Sequence, residues 1–138
     1  MLVSIYPISK LTSYAEEEEN IDLSFKYLKE ASLNHHSQAQ MLLAQYYKHH
    51  GNGLLSMAWF LELSGLGSIE ASSEIADLWL EGTSDNSIKP DPLKALSHIA
   101  KLRDANYENW QQKWDIAVEA MKQDYRYKDI VNDIIEQI

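Results

Sequence analysis

The chain contains no cysteine. Disulfides and thiolate metal sites are therefore excluded, and a reducing intracellular compartment is the natural setting. Positive charge is also in short supply: 12 Lys and Arg stand against 21 Asp and Glu, a net charge of −9. That balance argues against nucleic acid or an anionic membrane surface as partner and leaves basic proteins open. Acidity also serves solubility alone. Nowhere do 18 apolar residues run together, so no segment is long enough to span a bilayer. The first ten residues, MLVSIYPISK, lack a basic start, and Pro7 and Lys10 interrupt their apolar run. A signal peptide is not expected there, and the expected location is the cytoplasm.

Catalytic and metal patterns are missing as well. There is no Gly-x-Ser-x-Gly, no glycine-rich phosphate loop, and no His-x-x-x-His or His-Glu-x-x-His spacing. The pairs His35-His36 and His49-His50 stand at opposite ends of one expected helix. At 1.5 Å per residue that separation is about 21 Å, too far to share an ion. The reading is of a protein with no enzyme activity, no cofactor and no metal.

What is present is one pattern written twice, between Ser24 and Gly82. From Ser24, steps of 3, 4, 7, 8 and 11 reach Tyr27, Leu28, Ala31, Ser32 and His35. From Ser56 the same steps reach Trp59, Phe60, Leu63, Ser64 and Gly67. The copies continue with Ala39, Leu43, Ala44 and Tyr47, then Ala71, Ile75, Ala76 and Trp79. Self-similarity at a period of about 20 to 50 residues marks a stacked repeat protein, and a helix pair fits about 34 residues. The expected fold is all-α, an α-solenoid of about eight helices forming one domain of 138 residues, repeat-like over 20–51, 52–82 and 91–121.

In chain order, residues 9–19 predict a helix ending in the carboxylate run Glu16 to Glu19, with Asn20 able to cap the next helix. Helices follow over 20–34 and 38–49, closed by a His50-Gly51-Asn52-Gly53 turn whose two glycines permit positive φ. The second pair spans 54–65 and 69–81, ended by Gly82. The loop to Asp91 stretches the period, so that Ser56 meets its third counterpart only at Ala95. Asp91 followed by Pro92 is a helix start. The third copy holds His98, Ile99, Leu102, Arg103 and Asn106 at the marker positions, with Trp110 and Trp114 in its second helix, expected to pack toward the chain's end. A last helix is expected over 124–138. Tyr127, Ile130, Val131, Ile134, Ile135 and Ile138 make its apolar stripe, which caps the stack or forms a dimer face.

These residues resemble the Sel-one-like repeat family, relatives of the tetratricopeptide repeat. Asp91-Pro-Leu-Lys-Ala95 matches the family's opening, and Ala58-Trp59-Phe60 and Tyr27-Leu28-Lys-Glu-Ala31 its middle. Gly67-Ser-Ile-Glu-Ala71, Ile75-Ala76, Trp79 and Gly82 match its close. The likeness covers about residues 20–106 and departs at Ser24, Ser56, His98, His35 and Asn106. It implies a right-handed stack of antiparallel helix pairs that binds proteins without cofactor or catalysis.

Candidate contact residues are the non-core positions of each pair's second helix. In the first copy these are Gln38, Met41, Leu42, Gln45, Tyr46 and His49; in the second, Glu70, Ser73, Glu74, Asp77, Leu78 and Glu81. Spacings of 4, 3 and 4 put Glu70, Glu74, Asp77 and Glu81 on one helix face, where like charges cost ~0.2–0.5 kcal/mol per pair. A basic partner would relieve that; a solvated face is the plain alternative. Met41, Tyr46 and Leu78 would add apolar anchors beside them. The best expectation is an acidic groove formed by Glu70, Glu74, Asp77, Glu81, Met41, Gln45, Tyr46 and Leu78. It would bind another protein, with no nucleic acid or membrane involved and the chain itself a monomer. A small acidic protein of this kind could neutralise a basic toxin as an immunity protein or antitoxin does. The alternative is a regulatory adaptor or assembly scaffold.

Overall fold

The structure, a computed structural model, describes residues 21–138 apart from His35. The helix expected over residues 9–19 and the cap at Asn20 lie outside the described residues. Within the described residues seven helices follow in order: α1 (Ile21–Leu33), α2 (Ser37–His49), α3 (Gly53–Gly65), α4 (Ile69–Glu81), α5 (Pro92–Asp104), α6 (Trp110–Gln123) and α7 (Val131–Gln137). These residues form no strand, and each helix packs against the next.

Side-chain caps set several of the helix starts. Asn52 Oδ1 accepts Leu55 N–H at 3.3 Å, Ser68 Oγ accepts Ala71 N–H at 3.2 Å, and Asp91 Oδ1 accepts Leu93 N–H at 3.2 Å. Each satisfies an N–H that the first helical turn leaves without a partner. Pro92 opens α5 with its φ already suited to a helix.

The duplicated positions share an environment. Leu28 and Phe60, Ala39 and Ala71, Leu43 and Ile75, and Ala44 and Ala76 are all buried. The helix starts keep the same offset: Gly53 of α3 follows Ile21 of α1 by the interval at which Ile69 of α4 follows Ser37 of α2. Ser56 belongs inside because its hydroxyl donates to Ala44 O at 2.9 Å, satisfying a polar group at no exposure. Trp59 touches both the core between α1 and α2 and the core around Phe60 and Ile75. Trp79 joins that second core to a third, built on Leu96, Ile99, Ala117 and Met121.

The turn glycines divide their work. Gly51 takes φ +73°, but Gly53 is the first residue of α3 and is needed for space. A Cβ there would fall inside contact distance of Ser87 Oγ and Thr83 Oγ1. That crowding comes from the 83–91 loop folding onto α3, where Asp85 accepts Gly53 N–H at 3.1 Å, Thr83 Oγ1–H at 2.7 Å and Ser87 Oγ–H at 2.8 Å. These donors hold the Asp85 carboxyl well below its usual range. At the third turn Asn106 adopts φ +50° where Gly67 has φ +101°, a conformation Asn tolerates better than most residues.

The expected helix over 124–138 is shortened. Asp124 Oδ1 accepts Arg126 N–H at 2.9 Å, and residues 125–130 form turns before α7 begins. A local side-chain acceptor competes with helix formation in this way. Most of the apolar stripe still turns inward: Val131 is buried, and Tyr127, Ile134, Ile135 and Ile138 pack on the Leu96–Met121 core. Ile130 alone of the six is exposed.

In α6 the pattern of α4 is lost. At the stretched offset that carries Ser56 to Ala95, Ala76 corresponds to Asp115, which is exposed, and the buried positions are instead Ala117 and Met121. Trp110 and Trp114 stack edge to face at 6.3 Å, and Trp114 packs toward the C-terminal segment under the Arg103 guanidinium at 5.3 Å.

Candidate functional site

A groove of about 580 Å³ opens between α2 and α4, lined by Ser37, Gln38, Met41 and Gln45 on one side and Ser68, Glu70, Ser73 and Glu74 on the other. Leu63 and Tyr107 complete the lining. Helical spacing accounts for the walls. Residues 37, 38, 41 and 45 recur on one side of α2, and 70, 73 and 74 on one side of α4. Of the eight residues expected to form the acidic groove, it brings together Glu70, Glu74, Met41 and Gln45.

The other four go elsewhere. Leu78 is 2% exposed and belongs to the core around Phe60 and Ile75, so it cannot be a contact residue. α4 packs against α3 on one side and α5 on the other, which widens its buried arc past a single stripe. Tyr46 is engaged within the chain, 4.7 Å from the Phe25 ring and stacked on His50 at 4.0 Å. Glu81 is exposed at the far end of α4, outside the groove. Asp77 pairs with Lys113 of α6.

The acidic face is therefore partly neutralised by the chain's own lysines. Lys48 Nζ of α2 lies 3.0 Å from Glu74 Oε2, both side chains about one-quarter exposed, and Lys113 serves Asp77 in the same way. Ion pairs inside the molecule thus relieve part of the repulsion expected among the four carboxylates. Glu70 is exposed and makes no ion pair among the described residues; Ser68 Oγ–H reaches it at 3.4 Å. The walls thus combine one free carboxylate, one lysine-paired carboxylate, the thioether of Met41 and the amides of Gln38 and Gln45.

The repeat comparison of the second helices overlooks Ser37, Leu63, Ser68 and, from beyond the two copies, Tyr107. Tyr107 stands to Ser68 as Ala95 stands to Ser56, at the stretched period of the third copy, and follows the left-handed Asn106 as Ser68 follows Gly67. Extending that comparison to the residue after each turn would have found it.

Among the described residues no group of three or more His, Asp or Glu side chains is placed to hold a metal ion. No helix among them is long and apolar enough to cross a membrane. His49 is exposed, and His50 Nδ1 lies 2.8 Å from Tyr46 O at the end of its own helix. No family model, curated protein or solved structure matches the chain.

Proposed function

We propose that the chain is a non-catalytic protein-binding module, built as a Sel-one-like stack of helix pairs, whose α2–α4 groove seats another protein. The observation that carries this reading is the groove itself. It is open, about 580 Å³, and walled by the second helices of the two sequence copies. Matched burial at the duplicated positions supports the stacked-repeat part of the reading.

In its most specific form the partner is a basic protein, and the chain is an immunity-type protein that neutralises a toxin. Net charge of −9 and the unpaired Glu70 in the groove wall support a basic partner. The ion pairs at Glu74 and Asp77 move the expected contact from the centre of α4 to its first turn. The test begins with the protein that co-purifies with the tagged chain from its host. Titrated as a pure protein, it should bind one to one and more weakly as salt rises, lose at least tenfold in affinity with Glu70→Lys, and lose its toxic activity when bound. Salt-insensitive binding to several partners would sink the neutralising role and leave the adaptor reading. One observation favours that second reading: α3 exposes apolar side chains well away from the groove walls.

A further inference from the structure

The turn between α2 and α3 holds the chain's single Asn-Gly pair, Asn52-Gly53. That dipeptide is chemically unstable. The backbone nitrogen after an asparagine can attack the side-chain carbonyl carbon, and glycine, with no Cβ, obstructs the approach least. A C–N bond forms, and the side-chain nitrogen leaves as ammonia, carrying off the proton of the backbone N–H. Water then opens the resulting succinimide ring. Opening at one carbonyl gives aspartate; opening at the other gives isoaspartate, whose backbone runs through the former side chain. Neither enzyme nor cofactor is required, and asparagine counts among the thermolabile residues for this reason.

Two features of the folded chain oppose the first step. Gly53 is buried, and its N–H donates to Asp85 Oδ2 at 3.1 Å. The nitrogen must lose that proton to attack, and an adjacent carboxylate disfavours a second negative charge. Asn52 Oδ1 meanwhile accepts Leu55 N–H at 3.3 Å, which holds the side chain in place as the cap of α3. The hold on Gly53 comes from outside the turn. Asp85 belongs to the 83–91 loop, where it also accepts from Thr83 Oγ1, Ser87 N and Ser87 Oγ. Ile88, buried in the core around Phe60 and Ile75, anchors that loop.

We infer that Asn52 is a site of spontaneous deamidation that the 83–91 loop keeps closed, so that its conversion to aspartate or isoaspartate records how often the loop leaves Gly53. Once made, the change works against reclosure. It adds a negative charge next to the residue that Asp85 holds, and isoaspartate lengthens the backbone beside a glycine where even a Cβ would crowd Ser87 and Thr83.

The test incubates the full chain folded in mildly alkaline buffer and, as reference, unfolded in guanidinium chloride. Peptide mass spectrometry follows the gain of one mass unit at Asn52, and enzymatic methylation counts isoaspartate separately. Conversion of Asn52 should be at least about tenfold slower in the folded chain. Asp85→Ala, which removes the acceptor, should speed it about three- to tenfold, while Asn132 on α7 keeps its rate. Leu96→Ala controls for global opening: it weakens a different core without touching the loop, and should raise the Asn52 rate less than Asp85→Ala does. Equal rates in the folded and unfolded chains, an Asp85→Ala rate equal to that of the unaltered chain, or faster conversion in Leu96→Ala than in Asp85→Ala would each overturn the inference.

Discussion

The two ends of the molecule are held in different ways. Around α5 and the C-terminal segment, polar ties cross long stretches of sequence. Asp91 caps α5, accepts the Tyr127 hydroxyl at 2.9 Å and lies 3.5 Å from the Arg126 guanidinium, which also donates to Asp124 at 2.8 Å and Pro90 O at 3.3 Å. Arg103 reaches Ile138 O at 3.3 Å. Around α1–α3, the long-range polar ties are the 83–91 loop on Gly53 and Lys48 on Glu74, while Leu33, Leu54, Leu55 and Leu61 stay exposed and Gln40 is half-satisfied. The C-terminal end is the more covered one, although Ile116, Tyr125 and Ile130 are exposed there and His98 Nδ1 has no partner among the described residues. The N-terminal end is the more open, and contiguous exposed apolar surface is where partners bind.

The largest test of this contrast is in the covered core. Leu96 is fully buried against α6 and the C-terminal segment. Leu96→Ala should cost about 2–5 kcal/mol in urea unfolding, because its site is packed from several sides and cannot collapse freely. A cost below about 1 kcal/mol, the range of an ordinary surface change, would mean that the covered end is loosely packed and the contrast is false.

Asp91→Ala comes next. It removes the α5 cap and leaves the Tyr127 hydroxyl and the Arg126 guanidinium without their shared acceptor, at a cost of about 1–3 kcal/mol. Tyr127→Phe removes one of those ties alone and should cost less. If the two variants were equal in urea unfolding, the cap and the arginine would be contributing nothing.

His98 is a weak point inside the covered end. It occupies the aromatic marker position of the third copy, is half-buried, and has no hydrogen-bond partner for Nδ1 among the described residues. Burial, aided by the nearby Lys101 charge, lowers its pKa from 6.5. The neutral ring is therefore favoured in the folded state, and between the two pKa values the unfolded chain binds more protons. Stability from this source is complete above pH about 6.5 and is lost as pH falls below it. His98→Phe should add about 1 kcal/mol at pH 8 by removing the unpaired nitrogen, and a larger gain at pH 5. A gain independent of pH between 5 and 8 would show that the ring is not held neutral by its surroundings.

Much of the helix order is legible in the sequence, because buried helix positions recur at helical spacing and take apolar residues. The duplicated spacing predicts α1–α4 to within a residue or so at each end, and Asp91-Pro92 predicts α5. The candidate site is legible only in part, since its charges depend on residues far along the chain. Lys48 meets Glu74 across 26 residues and Lys113 meets Asp77 across 36, and no periodicity within α4 reveals either. Leu78 misleads for a related reason: a helix with neighbours on two sides buries more of its circumference than one apolar stripe predicts. The break before α7 turns on one local competition, Asp124 accepting from Arg126, inside a stripe whose apolar spacing reads as continuous helix.

The smallest expected effect bears on the open end. Leu33 is 71% exposed and Leu55 42%, so each leaves much of its side chain in water in the free chain. Leu33→Ser and Leu55→Ser should therefore change stability by no more than about 0.5 kcal/mol, as exposed substitutions usually do. Should either serine variant instead lose about 2 kcal/mol or more, the range of a core truncation, Leu33 and Leu55 would be part of the chain's own core. The two ends of the molecule would then differ less than their exposed side chains imply.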